Sequence, residues 1–350
     1  MDFIYDAMPS RVLFGSGSKG KVLDELDRLG IERAIILSTP PQAELAGAFA
    51  QMIGSKAATI YPGAAMHTPL EVTHSAMTAV DSVKADGILA VGGGSTIGLG
   101  KAIALRTDLP QIAVPTTYAG SEMTPILGQT ENGIKTTIRD AKVLPETVIY
   151  DPDLTLTLPD FITGPSGMNA IAHSVEALYA ENGNPIISMM AEESIRALGE
   201  ALPHIVADGS DLDARSKALY GAWLAGACLG SVGMAIHHKI CHTLGGSFDL
   251  PHADVHCLMI AYSAAYNREA APDAMARVAG ALGAEDGPAG LYDLLQKVGV
   301  KKSLSELGMT EAGLDKAADI AVTNPYFNPR PVTRDGVRDM LQAAYQGRKP

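Results

Sequence analysis

The sequence predicts an α/β domain with a doubly wound, Rossmann-like parallel sheet, followed by an all-helical domain. Short apolar runs alternate with helical periodicity over residues 1–150, and the strand patterns then give way to Ala- and Leu-rich helices. A chain of 350 residues with 47% hydrophobic residues is long enough for two such domains. We therefore predict a nucleotide-binding domain over residues 1–150 and a helical catalytic domain over residues 151–350.

Strands and helices alternate in order along the first domain. Each predicted strand is an apolar run without polar alternation, as expected for a parallel sheet that is covered on both faces. The predicted strands are 34–37, 87–91, 112–114 and 148–150. The predicted helices, from the spacing of apolar residues, span roughly 20–29, 43–53, 70–84 and 97–105.

Composition disfavours several kinds of partner. The formal net charge of −12 argues against nucleic acid and anionic membrane surfaces, since both would repel the protein. Residues 218–236 carry no charge, but their glycines and alanines predict a buried helix and not a membrane span. We expect no signal peptide, because the N-terminus has neither a basic region nor an apolar core. Three cysteines in apolar segments predict reduced thiols and a cytoplasmic protein.

A glycine-rich turn follows the second predicted strand. Gly92, Gly93, Gly94 and Ser95 lie between that strand and a helix. Glycines there let the backbone approach a pyrophosphate, and the helix N-terminus presents free N–H groups. The turn lacks the G-x-G-x-x-G spacing, so a plain strand-to-helix turn is the alternative.

Hydroxyl side chains are concentrated in the loop after the next strand. Thr116, Thr117 and Ser121 suit hydrogen bonds with nicotinamide or ribose, Lys135 is a further candidate, and a loop that only caps the next segment is the alternative. Two such loops at consecutive strand ends favour a dinucleotide. No acidic residue follows the strand at 34–37, so we expect both NADH and NADPH to be used.

Histidines at helical spacing mark a second candidate site. Asn169 shares a helix face with His173, and His238 shares one with His242, because residues i and i+4 are neighbours on a helix. With His252 they would form an imidazole-rich pocket that suits divalent transition metals. An Asn amide is neutral, however, so the group lacks the carboxylate that usually offsets the metal charge. A lone histidine is more often a core or surface residue, but this clustering favours a site.

These motifs together resemble the iron-containing (group III) alcohol dehydrogenase superfamily over nearly the whole chain. The resemblance includes the glycine turn with Lys101, the hydroxyl-rich loop up to Glu122, and the histidine pattern. It implies a nicotinamide cofactor in a cleft between a nucleotide-binding domain and a helical domain. In such enzymes an Asp and three His hold iron or zinc, and a further histidine is associated with proton transfer. The matching metal positions are Asn169, His173, His238 and His252, and His242 matches the last histidine.

Three departures from the family pattern point to one branch. Asn169 replaces the metal-binding Asp, Gly98 replaces an Asp after the glycine turn, and Ala253 replaces the Gly of Pro-His-Gly. With the double histidine His237-His238, these features resemble maleylacetate reductases. Those enzymes reduce the carbon–carbon double bond of maleylacetate to give 3-oxoadipate in bacterial degradation of resorcinol, hydroxyquinol and chlorinated aromatics. The resemblance implies NADH or NADPH, no required metal, a dicarboxylate substrate and a homodimer.

The chemistry of that reaction gives each candidate a role. Hydride addition to the carbon β to the ketone places negative charge on the ketone oxygen, which imidazole N–H groups can stabilise. His173, His238 and His252 are predicted to bind this oxygen and the carboxylates. Asn169 orients them, and His242 donates the proton that completes the reaction.

Four further residues are candidates for contact with the substrate: His67, His237, Lys239 and Arg330. His67 lies in a loop that could close over the nicotinamide. Lys239 and Arg330 would neutralise carboxylates, but Lys239 is about 100° from the His238 face and would otherwise point to solvent. Arg330 would otherwise cap a helix or form an ion pair.

Two other functions fit the same sequence. The first is a metal-dependent alcohol dehydrogenase or aldehyde reductase in which Asn169 still coordinates the ion. The second is a catalytically silent nucleotide-binding sensor, which would leave the histidine cluster without a role.

Overall fold

The computed structural model describes residues 3–6, 10–131, 134–300 and 303–350, and the side chains of Ile134, Lys135 and His252 fall outside this description. The chain folds into two compact units, the first Ala7–Leu158 and the second containing Pro159–Pro350. The α/β class of the first and the helical class of the second are confirmed. The predicted domain boundary after Tyr150 lies a short way before the division seen between the units.

The first unit contains a six-stranded parallel sheet and a separate antiparallel hairpin. In chain order the strands are β1 (Arg11–Phe14), β2 (Ala34–Leu37), β3 (Ala57–Tyr61), β4 (Gly87–Gly92), β5 (Gln111–Pro115), β6 (Ile126–Glu131), β7 (Ile134–Arg139) and β8 (Thr147–Tyr150). β6 and β7 form the hairpin, and the sheet has the order β1-β8-β5-β4-β2-β3. All four predicted strands are present. β1 and β3 escape sequence prediction because they are half-buried edge strands without a full apolar run.

Four helices cover the two faces of the sheet: α1 (Val22–Leu29), α2 (Ala43–Ile53), α3 (Leu70–Val83) and α4 (Gly94–Thr107). Phe49 of α2 belongs to the core on one face with Ile36 of β2. Ile103 of α4 belongs to the core on the other face with Ile35. Because neighbouring strand residues point to opposite faces, both must be apolar, which explains the uninterrupted apolar runs.

β2 and β4 are neighbours at the place where the strand order changes direction. β3 lies beyond β2 on one side, and β5 lies beyond β4 on the other. The helices that follow these strands, α2 and α4, cover opposite faces of the sheet. The loops after β2 and β4 therefore diverge, which produces the crevice where open α/β sheets bind ligands.

The second unit is helical. Its helices are α5 (Asp160–Ala177), α6 (Pro185–Ala207), α7 (Leu212–Ser231), α8 (Ile236–Phe248), α9 (His252–Asn267), α10 (Pro272–Leu282), α11 (Gly287–Lys297), α12 (Gly313–Ala321) and α13 (Arg334–Gln346). α9 packs against both α5 and α8. Among the described residues no single helix is long and apolar enough to cross a membrane. α7 and α8 combine the necessary length and hydropathy only when taken together, with a bend of 96° between them.

Lys101 of α4 fastens the loop that follows β5. Its buried ammonium donates to the carbonyl oxygens of Ser121 at 2.5 Å, Thr124 at 2.7 Å and Ile126 at 2.9 Å. Burial lowers the pKa of Lys101 to about 7, and the charge of Glu122 partly offsets this effect. Three main-chain acceptors thus converge on one side chain, which fixes the path of the loop.

Replacing Lys101 by Met should loosen this loop and destabilise the first unit. The apolar side chain has a similar shape but leaves three carbonyl groups, that of Thr124 buried and the other two partly buried, without their donor. We therefore expect a loss of about 2–4 kcal/mol of unfolding free energy. Denaturant unfolding measures it. Lys142→Met is the matched control, since Lys142 forms only a half-exposed ion pair with Asp108 at 3.5 Å. Equal stability of the two variants would contradict the assignment.

Candidate active site

The turn between β4 and α4 packs so closely that only glycine fits at two positions. Gly92 has a φ of +154°, and a Cβ atom there would lie 2.4 Å from Thr96 Oγ1. A Cβ atom on Gly93 would lie 2.8 Å from Thr117 Cγ2. No described side chain caps the N-terminus of α4, so its first backbone N–H groups have no partner from a capping residue. This arrangement suits a phosphate or pyrophosphate.

Three hydroxyl groups with buried oxygen atoms follow β2, β4 and β5. The Oγ atoms of Ser38, Thr96 and Thr117 have no hydrogen-bond partner within the described part of the chain. A buried polar atom without a partner costs free energy, so a polar ligand at this edge of the sheet would satisfy them. Gln42 Nε2 also donates to Thr116 Oγ1 at 2.9 Å, which joins the loops after β2 and β5. These residues fit a dinucleotide.

The remaining residues predicted to bind the cofactor are placed as follows. Ser121 lies in the loop that Lys101 holds, and its carbonyl oxygen is one of the acceptors. Lys135 pairs through its backbone with Thr130, and its side chain lies outside the described residues. His67 is exposed and has a φ of +63°. Their contacts with a cofactor remain predictions.

A buried carboxylate organises the histidines of the second unit. Glu176 of α5 is fully buried. One of its oxygens accepts a hydrogen bond from the backbone N–H of His237 at 2.7 Å, and the other lies 2.5 Å from His238 Nδ1. The rings of His173 and His238 stack with centroids 5.2 Å apart. Glu176 was not among the residues predicted from the sequence, although it lies three residues after His173 on the same helix.

The contact with Glu176 fixes which ring nitrogen of His238 carries the shared proton. A carboxylate only accepts hydrogen bonds, so His238 Nδ1 carries a proton and Nε2 is left as the free ring nitrogen. The Oδ1 atom of Asn169 is buried and has no hydrogen-bond partner among the described residues. A histidine backed by a carboxylate and an unsatisfied amide oxygen are both suited to a metal ion. Asn169, His173 and His238 therefore fit a metal.

A second cluster lies beside this one and is completely buried. His237 Nε2 is 3.1 Å from His256 Nδ1 and 3.6 Å from Cys241 Sγ. The three side chains are close enough together to hold a metal ion. His237 Nδ1 also lies 3.1 Å from Ser263 Oγ. Burial, reinforced by the charge of Glu176, raises the pKa of Cys241 well above its usual value, which keeps it a thiol and a poorer ligand.

The other predicted substrate contacts have partners within the second unit. Lys239 Nζ donates to the carbonyl oxygen of Thr323 at 2.7 Å. Arg330 donates to the carbonyl oxygen of Tyr266 at 3.1 Å, and its guanidinium lies 4.2 Å from the centre of that ring. These contacts give both cations structural partners, and binding of substrate carboxylates by them remains a prediction.

His242 and His252 differ in how far the structure describes them. His242 is exposed, and its Nδ1 lies 3.2 Å from the hydroxyl group of Tyr326. The side chain of His252, at the start of α9, lies outside the described residues. The predicted roles of both histidines remain predictions.

Known proteins match the chain over both units. Residues 9–152 match the family described as iron-containing alcohol dehydrogenase, and residues 163–345 match the C-terminal part of the Fe-containing alcohol dehydrogenase family. Over 348 residues the chain is 53% identical to a maleylacetate reductase from Burkholderia cepacia, covering 99% of each. The structure is similar to that of maleylacetate reductase from Agrobacterium tumefaciens, with 52% identity, a TM-score of 0.98 and 100% coverage of both chains. The maleylacetate reductase of a Rhizobium strain is equally covered, with 53% identity and a TM-score of 0.97.

The prediction that no metal is required is wrong. Both matched families are described as iron-containing. In addition, the potential ligand atoms of His237, Cys241 and His256 lie within 4.8 Å of one another, close enough to bind one metal ion. The prediction relied on the absence of a carboxylate at Asn169. Glu176 supplies a buried carboxylate behind His238, so the charge of an ion can be offset without an acidic ligand.

We expect NADH and NADPH to give kcat/KM values within about a hundredfold of each other, or about 2.7 kcal/mol. Residues 38–42 contain no carboxylate that would bind the ribose hydroxyl or repel a 2′-phosphate. Steady-state kinetics with both cofactors tests this, and Thr39→Asp should move the preference towards NADH. A much larger preference in the unaltered enzyme would count against it.

Metal analysis can decide which cluster holds the ion. We expect His238→Ala to lose bound iron or zinc after dialysis, because it removes the nitrogen that Glu176 prepares. Asn169→Asp should bind metal more tightly, since it adds a charged oxygen ligand. Elemental analysis by mass spectrometry measures both. If Cys241→Ser loses the ion and His238→Ala retains it, the buried cluster of His237, Cys241 and His256 is the metal site instead.

Proposed function

The chain belongs to the iron-containing alcohol dehydrogenase family, and we infer that it is an oxidoreductase that reduces the carbon–carbon double bond of maleylacetate to give 3-oxoadipate. The observation that carries this conclusion is the 53% identity to a maleylacetate reductase over 99% of both chains. The buried, carboxylate-backed imidazole cluster is consistent with it, because the reaction develops negative charge on an oxygen atom.

The electronic structure of maleylacetate sets what the protein must do. Its alkene is conjugated with a ketone, so the carbon β to the ketone accepts a hydride equivalent and the ketone oxygen gains negative charge. A proton must then reach the neighbouring carbon. We propose that a reduced nicotinamide, NADH or NADPH, supplies the hydride.

Glu176 orients His238 so that its ring can stabilise the negative charge on the ketone oxygen. The carboxylate holds the Nδ1 proton, so the ring has a fixed orientation and Nε2 is the atom that faces outward from this contact. Both ring nitrogens of a protonated histidine are donors, so in that form His238 Nε2–H can donate to the ketone oxygen. When bound, a metal ion held by Asn169, His173 and His238 would supply Lewis-acid stabilisation of the same oxygen.

His242 is the proposed source of the proton. It lies one helical turn after His238 on α8, and the two rings are 6.1 Å apart in an edge-on arrangement. A substrate oxygen at His238 therefore places the adjacent carbons near His242. Histidine suits this role because its usual pKa lies close to neutral pH.

We further propose that the enzyme works in the cytoplasm as a homodimer on a small dicarboxylate, without nucleic acid or membrane partners. Cys228, Cys241 and Cys257 are free and buried, which is consistent with a reducing compartment. The acidic net charge of −12 is consistent with the absence of polyanionic partners.

A spectrophotometric assay of NADH oxidation tests the substrate. We expect kcat/KM for maleylacetate to exceed that for simple aldehydes by at least about a hundredfold, because the site must stabilise charge on a conjugated ketone. 3-Oxoadipate should be the product detected by mass spectrometry. Faster turnover of aldehydes, with no reduction of maleylacetate, would favour an alcohol dehydrogenase of the same family.

Replacing His242 by Ala should lower kcat by about 10²–10⁴, the usual contribution of a general acid. Binding of NADH, followed by its fluorescence, should remain nearly unchanged because the predicted nucleotide residues lie in the other unit. Turnover close to that of the unaltered enzyme would assign the proton to another group, such as a bound water.

A further inference from the structure

The segment formed by residues 323–333 is fastened to α8 at its start and to α9 further along. At its start, Lys239 of α8 donates to the carbonyl oxygen of Thr323 at 2.7 Å. Further along, Asn328 and Asn267 of α9 exchange two side-chain hydrogen bonds of 2.9 and 2.7 Å. These contacts hold the segment in one position relative to the histidines of α8, although it has no helix or strand of its own.

Tyr326 lies in the middle of this segment and reaches His242. Its hydroxyl group is 3.2 Å from His242 Nδ1, and the two rings meet at 78° with centroids 6.3 Å apart. Lys239 Nζ lies 5.9 Å from the centre of the Tyr326 ring, so the same cation that fastens the segment also contacts the tyrosine. Tyr326 is 40% exposed. Its partial burial still raises the pKa of the hydroxyl, and the charge of Glu176 adds to this, so the hydroxyl keeps its proton at neutral pH.

His242 needs such a partner because it is exposed. An exposed imidazole can rotate and can carry its proton on either nitrogen, and only one of these arrangements delivers a proton to the substrate. Glu176 fixes the orientation and tautomer of His238. It does not do the same for His242, because its two oxygens already contact His237 and His238.

We propose that Tyr326 is a positioning residue that fixes the orientation of His242 and keeps its transferable proton on Nε2. The hydroxyl of Tyr326 donates to Nδ1, which leaves Nε2–H as the donor. As the Nε2 proton passes to the substrate carbon next to the ketone, the hydroxyl proton of Tyr326 moves to Nδ1, so the ring stays neutral. Solvent then returns a proton to the Tyr326 oxygen. Lys239 affects the same proton transfer indirectly: its hydrogen bond to Thr323 holds the segment that carries Tyr326. The proposal rests on the proposed reduction of maleylacetate for its kinetic test.

Tyr326→Phe tests this in the full-length enzyme. It keeps the ring and removes the hydroxyl, so we expect kcat to fall about tenfold to hundredfold, the scale expected for a misplaced catalytic group. KM for maleylacetate should change little. The solvent deuterium isotope effect on kcat should increase, because proton transfer becomes a slower step. Lys239→Met should change kcat in the same direction by less, and Lys239→Arg, which still donates to a carbonyl oxygen, should restore it.

Tyr292→Phe is the matched control. It also removes a tyrosine hydroxyl hydrogen bond in the second unit, from Tyr292 to the carbonyl oxygen of Gly347 at 2.8 Å. We expect its kinetics to be unchanged. If Tyr326→Phe behaves like this control, or raises KM alone, Tyr326 does not position His242.

A measurement without turnover separates this proposal from the proposed function. Nitrogen-15 spectra of histidine-labelled protein, with the His242 signals assigned from a His242→Gln variant, should show an unprotonated Nδ1 and a protonated Nε2. In Tyr326→Phe the signals should become an average of both tautomers. An Nδ1–H tautomer in the unaltered enzyme would overturn the proposal even if maleylacetate is reduced, and failure to reduce maleylacetate would leave this spectroscopic result intact.

Discussion

The histidine site depends on one buried carboxylate, that of Glu176. It joins α5 to the start of α8 by accepting the backbone N–H of His237 with one oxygen and contacting His238 with the other. A buried carboxylate is costly unless its oxygens are satisfied, so these contacts and its position are mutually dependent. The same pair of contacts sets the orientation of His238 and determines which of its nitrogens is free. Loss of the carboxylate would thus affect packing, tautomer and charge together.

The two adjacent histidines on α8 have different surroundings for this reason. His238 has one ring nitrogen held by Glu176, and its ring stacks with His173. His237 is directed into the core, where both of its ring nitrogens have polar neighbours, Ser263 and His256. Adjacent positions on a helix differ by about 100° in direction, so one residue can face a site while the next is part of its support.

In the first unit the corresponding constraint is the divergence of the loops after β2 and β4. The strand order produces this divergence. Hydroxyl groups whose buried oxygens have no partner among the described residues follow the strands, and Lys101 holds the next loop in place. The central strands could be predicted from the sequence because buried parallel strands are continuous apolar runs. The helices could be predicted from the spacing of their apolar residues, and the loops after β4 and β5 from their glycine and hydroxyl residues. It did not predict β1 or β3, since edge strands are only half-buried. Glu176 could not be recognised from the sequence, because the histidine spacing indicates metal ligands and not the residues that support them. Partners such as Thr323 for Lys239 are far away in the chain and follow only from the tertiary fold.

The buried cysteines have a practical consequence. Burial raises the pKa of Cys228 to about 12 and that of Cys257 well above its usual value, the latter with a contribution from Asp254. Such thiols are poor nucleophiles and are screened from reagents while the protein is folded. Modification by an alkylating reagent should therefore proceed through local opening of the helices, on the timescale of hydrogen exchange. With Cys228 on α7, Cys241 on α8 and Cys257 on α9, the chain carries three natural labels, and the order in which they react would map the opening of the helical unit.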